Sequence, residues 1–215
     1  MSAYHLDKAR RHVAAREWPD AIESVTRAVE KSPHDANAWY VKGTVEMGAG
    51  RFRQAMESAD RATVLAPDDA RSWLLAGSAA EAAQELTAAR QAYDRAVSAW
   101  PRWGLAWNRV GTLAFDAGDL ERAESAFAHA VDCDPQHARS WNNLALVRIA
   151  RGHLDSAEGA LRRALAVWPD YSIAYRNLAR IAAERGDTRD RENYDTLAAR
   201  IDAIKAEEAA ASGIK

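Results

Sequence analysis

A single cysteine, Cys133, among 215 residues leaves no partner for an intramolecular disulfide, which excludes a fold stapled by sulfur bridges and fits a reducing compartment. Long apolar runs are missing as well: no stretch approaches the roughly 18 uninterrupted apolar residues of a membrane helix. The opening residues, MSAYHLDKARRHVAAREW, carry charges where a signal peptide carries its apolar segment, so a cytoplasmic protein without membrane association is expected. Excess basic charge is absent too. With 29 Lys and Arg against 31 Asp and Glu the net charge is −2, and no nucleic-acid partner is expected. Threonine is scarce and valine and isoleucine are modest, which disfavours strands. What is present instead is alanine, the strongest helix former, in a chain whose 48% apolar and 28% charged residues are those of a folded protein.

The prolines carry the next signal. Pro33, Pro67, Pro101, Pro135 and Pro169 follow one another at intervals of 34, with only Pro19 outside the register. Six residues after each stands an aromatic: Trp39, Trp73, Trp107, Trp141 and Tyr175. A small residue follows four later, at Gly43, Gly77, Gly111, Ala145 and Ala179. Ala21, Ala55, Ala89, Ala123 and Ala157 keep the same step, as do Ala28, Ala62, Ala96, Ala130, Ala164 and Ala198. Gly50, Gly118, Gly152 and Gly186 share a turn position that Gln84 occupies in the third unit. Within a unit, the aromatic, the small residue and the position three further lie on one stripe of a first helix. Alanines seven apart lie on one face of a second. Proline ends the unit because it cannot continue a helix, whereas Pro19 suits the first turn of a second helix.

A 34-residue unit with this aromatic, small residue, alanine pair and terminal proline resembles the tetratricopeptide repeat. The resemblance covers units 2–35, 36–69, 70–103, 104–137, 138–171 and 172–205. It implies an all-α, right-handed superhelical solenoid of about six helix-turn-helix units within one domain, 1–209, followed by a flexible tail, 210–215. A lone helix pair has too little core, so the units must stack on one another. The tryptophans are expected to dominate that packing.

The ends depart from the pattern. His5 replaces the aromatic in the first unit, and Arg191 and Asp195 replace small or apolar residues in the last. Tyr194, Leu197, Ala198, Ile201 and Ile204 form an apolar stripe on a longer final helix, either a cap over the last repeat or a surface for self-association.

Catalytic patterns are not found. MGAGRF has two glycines without the rest of a phosphate loop. His129, Cys133 and His137 have a spacing that a helix can bring together around a metal, but Pro135 interrupts it and Cys133 falls on an inward apolar position. No metal, cofactor or enzymatic activity is expected. Trp100 and Trp103 are extra aromatics at a junction, either packed over it or offered to a partner.

The resemblance further implies that first helices line a concave groove for extended peptides or helices, using the residues opposite the aromatic stripe. These include Asn37, Tyr40, Arg71 and Leu74 in the second and third units, an apolar floor with little charge. In the last three units they are Asn108, Arg109, Thr112, Arg139, Asn142, Asn143, Arg176, Asn177 and Arg180, where amides suit a peptide backbone and guanidinium groups suit carboxylates. Asn143 and Asn177 match a backbone-holding asparagine ladder of some relatives; the cations of the carboxylate-clamping subgroup are missing. The expected function is a non-enzymatic scaffold or adaptor binding a partner protein's segment, the alternative a self-assembling homo-oligomer. A wet helix face also needs polar residues without any ligand.

Overall fold

The computed structural model describes residues 2–211, and among these every regular element is a helix. The helices alternate in length and role: α1 (Ser2–Ala14), α2 (Trp18–Lys31), α3 (Ala36–Gly48), α4 (Phe52–Leu65), α5 (Ala70–Ala82) and α6 (Leu86–Ala99). They continue as α7 (Gly104–Asp116), α8 (Leu120–Cys133), α9 (Ala138–Ala150), α10 (Leu154–Val167), α11 (Ser172–Glu184) and a longer α12 (Thr188–Ala211). Odd and even helices form antiparallel pairs, one per 34-residue unit, in the helix-pair solenoid that the proline register anticipates. The chain divides into two compact units, Met1–Ala106 and Trp107–Lys215. Ala210 and Ala211, expected in a tail, are the last residues of α12, while 212–215 lie outside the described residues.

Local chemistry sets the helix ends. Every first helix closes with the same pair of backbone bonds, as in Arg51 N–H to Glu46 C=O at 2.8 Å and Gly50 N–H to Met47 C=O at 3.0 Å. That motif needs a left-handed residue. Glycine supplies it in four units, but Arg16 at φ 59° and Gln84 at φ 66° adopt it without glycine's freedom. First helices begin on side-chain caps where an aspartate is available: Asp35 accepts from Asn37 N–H at 3.0 Å and Asp69 from Arg71 N–H at 3.2 Å.

The enclosed core is made of alanine more than of tryptophan. Ala21, Ala28, Ala55, Ala62, Ala89 and Ala96 are fully buried in the first compact unit, and Ala123, Ala130, Ala157 and Ala164 in the second. Trp39, Trp73, Trp107 and Trp141, expected to dominate the interior, are only half-buried. The reason is their polar edge. Trp39, Trp73 and Trp141 each donate the indole N–H to the carbonyl of the proline six residues earlier, at 2.9, 2.7 and 2.9 Å. The aromatic therefore latches the preceding junction while its ring covers the core.

Small residues in the first helices match large ones in the second. A Cβ at Gly77 would lie 2.4 Å from the Tyr93 ring, and one at Gly111 would lie 2.7 Å from that of Phe127. Where the second helix carries Leu161 instead, the first carries Ala145, and both are buried.

The stripe on α12 is a cap in part. Ala198 is buried, Ile201 is half-buried, and Tyr194 packs on the last-repeat cluster with its ring 6.4 Å from that of Tyr175. Leu197 and Ile204 remain 42% and 47% exposed.

Candidate functional site

The residues expected on the ligand face fall into three groups once their contacts are known. Asn108 and Asn142 are buried rather than exposed, which corrects their expected orientation. Asn108 on α7 donates its amide to Ser140 Oγ on α9, and His137 Nδ1 lies 2.6 Å from the same oxygen. Asn142 on α9 accepts from Asn177 Nδ2 on α11 at 2.8 Å. Position five of α7 and of α9 thus faces the neighbouring first helix. An amide there is retained because it bonds across the repeat interface, where an unpaired one would be costly.

A second group is held by ion pairs. Arg71 binds Asp69 at 3.0 Å and lies 5.4 Å over the Tyr40 ring. Burial pushes the Asp69 carboxyl up, but bonds from Arg71 and Ser72 win and hold it below its ordinary range. Arg176 pairs with Asp202 on α12, and Arg180 with Glu184 at 3.2 Å.

The third group is available. In the second compact unit Arg109 and Arg139 are exposed and Asn143 is half-buried; none of the three side chains has a hydrogen bond or ion pair among the described residues. Their placement follows from the first group, since Arg109 is next in chain to Asn108, and Arg139 and Asn143 flank Ser140 and Asn142. Thr112 is half-buried on α7. In the first compact unit Asn37 is exposed, and Tyr40 and Leu74 are half-buried.

Several polar constellations were not anticipated. Glu46, 3% exposed, accepts from Lys42 and Ser58, both at 2.6 Å. This triad borders a cleft of about 520 Å³ walled by Trp39, Asp60 and Val64. Burial and the neighbouring Glu57 carboxylate raise the Asp60 carboxyl above its ordinary range. In the second compact unit an ion-pair ladder recurs from one repeat to the next. Arg151 binds Glu124 at 2.5 Å and Glu121 at 3.4 Å, and 34 residues on Arg185 binds Glu158 at 2.6 Å and also Asp155. The visible signal was arginine at one turn position in two successive units, with acids three and six residues beyond the turn in each preceding one.

His129 stacks on Trp107 at 4.6 Å, and His137 is bonded to Ser140. His12, Glu17 and Asp20 have ligand atoms within 4.8 Å of one another, with the His12–Glu17 bond of 2.6 Å bridging the α1–α2 turn. No helix among the described residues is long and apolar enough to cross a membrane.

Tetratricopeptide repeat family profiles match residues 6–47 and 40–102, and a second such profile matches 114–179. No curated protein matches the chain in sequence. Among solved structures, PilF of Pseudomonas aeruginosa is 13% identical, with a TM-score of 0.78 over 96% of this chain and 97% of its own. YrrB, described as a TPR protein with an unusual peptide-binding site, is 18% identical with a TM-score of 0.72, over 87% of this chain and 99% of its own. The MamA protein is 21% identical with a TM-score of 0.70, over 77% of this chain and 91% of its own.

Proposed function

The chain belongs to the tetratricopeptide repeat family, and from that premise we propose that it is a non-catalytic scaffold or adaptor that recognises a segment of a partner protein on the faces of its first helices. The observation that carries the reading is the set of Arg109, Arg139 and Asn143, whose side chains make no hydrogen bond or ion pair among the described residues while their chain neighbours Asn108, Ser140 and Asn142 hold the helices together. Two guanidinium groups and an amide suit an extended segment with carboxylates, the arginines as forked donors and the amide as donor and acceptor to its backbone. Asn37, Tyr40 and Leu74 offer a less charged surface in the first compact unit, suited to apolar side chains. The single cysteine fits a reducing compartment such as the cytoplasm.

Crosslinking and mass spectrometry from the native cell identify the partner, and calorimetry with the captured segment tests the face. Arg109→Gln with Arg139→Gln weakens binding at low salt and reduces its salt dependence. An affinity unchanged in that double variant and in Asn143→Ala, with helicity intact, would rule out this face for that partner.

A second reading, self-assembly through α12, is favoured by the exposure of Leu197 and Ile204. Light scattering over a dilution series separates the two, because a concentration-independent monomer counts against assembly.

A further inference from the structure

Two junctions of this chain carry the same aromatic arrangement, 68 residues apart. Trp100 stacks on Trp103 at 5.1 Å with Leu105 beyond them, and Trp168 stacks on Tyr171 at 4.7 Å with Ile173 beyond. At the corresponding positions the earlier junctions have Ser32 with Asp35 and Ala66 with Asp69, whose aspartates cap the next helix. Tyr171 supplies no such cap. At both junctions an aromatic thus stands where the first two junctions have a capping aspartate.

The two pairs differ in what covers them. Over Trp168 lies the ammonium group of Lys205, 4.9 Å from the ring centroid, and the same nitrogen donates to the Asp170 carbonyl at 2.5 Å. The cation is supplied from within the chain by α12. Trp100 has no cation over it among the described residues and is 49% exposed, against 37% for Trp168. The carbonyl corresponding to that of Asp170 belongs to Arg102, two residues beyond Trp100.

We propose that the Trp100–Trp103 stack is a docking point for a lysine or arginine side chain of a partner protein, seated on the face of Trp100 turned from Trp103 and donating to the Arg102 carbonyl. The indole face attracts a cation through its quadrupole, and the neighbouring carbonyl fixes the N–H direction. Lys205 on Trp168 is the internal precedent for both contacts. This contact uses Trp100 and the Arg102 carbonyl rather than Arg109, Arg139 and Asn143, and asks for charge of the opposite sign; failure of either reading leaves the other standing.

The test follows the indole N–H resonances of the isotope-labelled full chain by NMR, with Trp100→Phe and Trp103→Phe identifying two of them. The probes are the tripeptide amides Gly-Arg-Gly and Gly-Lys-Gly, with neutral Gly-citrulline-Gly as control. Trp100 and Trp103 should shift saturably with the cationic probes and at least about threefold more weakly with the neutral one. Trp100→Ala should abolish the response of Trp103. In Lys205→Gln the Trp168 resonance, silent before, should join the response. Absence of a shift at Trp100, or equal shifts with the neutral probe, overturns the proposal whatever Trp168 does. Shifts that appear on raising the protein concentration alone also overturn it, because the occupant is then a second copy.

Discussion

Asn177 on α11 donates its side-chain amide to Oδ1 of Asn142 on α9 at 2.8 Å, so the two asparagines hold consecutive repeats together. Asn143, adjacent in sequence to Asn142, has no such bond. Two neighbouring asparagines in one helix therefore do different work, and the difference is only their angular position. Asn142→Ala should destabilise the protein by about 1–2 kcal/mol, because it leaves the Asn177 amide without its interhelical acceptor. Asn143→Ala should leave stability unchanged or raise it by a few tenths of a kcal/mol, from helix propensity. Urea unfolding of both variants checks the contrast, and equal costs would refute it. Asn177 is a poor probe of ligand binding for the same reason, since its replacement also loosens the repeat interface.

Gln84 holds a left-handed backbone at a turn where four other units have glycine. Relief of the strain of a side chain in that region is worth about 1–2 kcal/mol, and the extra unfolded-chain entropy of glycine takes back about 0.5–1 kcal/mol. Gln84→Gly should therefore stabilise by roughly 0.5 kcal/mol. A small upward shift of the urea midpoint with unchanged slope is the expected result; a downward shift would mean that the Gln84 side chain contributes something its exposure does not suggest.

Acid should weaken the second compact unit through its ion-pair ladder. Burial pushes the Glu124 carboxyl up, but hydrogen bonds and charge from Arg148 and Arg151 outweigh it, so the group lies below the usual range. Glu158 is lowered too, chiefly by its bond from Arg185. A carboxylate depressed in the folded state contributes stability that is present above its unfolded value, near pH 4.3, and is lost as the pH falls through the folded value. Unfolding free energy should therefore drop between about pH 5 and about pH 3. Glu124→Gln should be less stable at pH 7 and show a shallower drop. A slope identical to that of the parent would show that other carboxylates govern the acid limb.

The proline register and the repeating small residues made the helix boundaries legible, because each is a local backbone requirement: a break, a turn or a close approach. The site was legible only in part. Counting angles from Trp141 puts Asn142 and Asn143 together on the side away from that ring, but a first helix is flanked by first helices of both neighbouring repeats. Position five is therefore covered where a helix packed on one side only would leave it open. The ion pair of Arg176 was not legible for another reason: its partner, Asp202, lies 26 residues away on α12 and belongs to no repeat pattern. The ring-edge bonds of Trp39, Trp73 and Trp141 were also hidden, since hydrophobic periodicity records that an aromatic faces inward and nothing about where its N–H points.

The match of Gly77 to Tyr93 gives the sharpest test of how repeats are individually packed. A methyl group at Gly77 has no room, as it would meet the buried Tyr93 ring at 2.4 Å, and neither helix can move without disturbing the alanines that bring them close. Gly77→Ala should cost about 1–3 kcal/mol by overpacking, despite alanine's better helix propensity. The fifth unit shows the compensating solution, Ala145 facing Leu161. Tyr93→Leu alone should also destabilise, since it removes aromatic contact and leaves space over Gly77. In the double variant the new methyl group fills that space, so the two costs should not add and the coupling should favour the pair by at least about 1 kcal/mol. A double-mutant cycle by denaturant unfolding measures that term directly. Additive costs would mean that the small first-helix residue and the large second-helix residue are set independently, and that complementary size is not what lets each helix pair close.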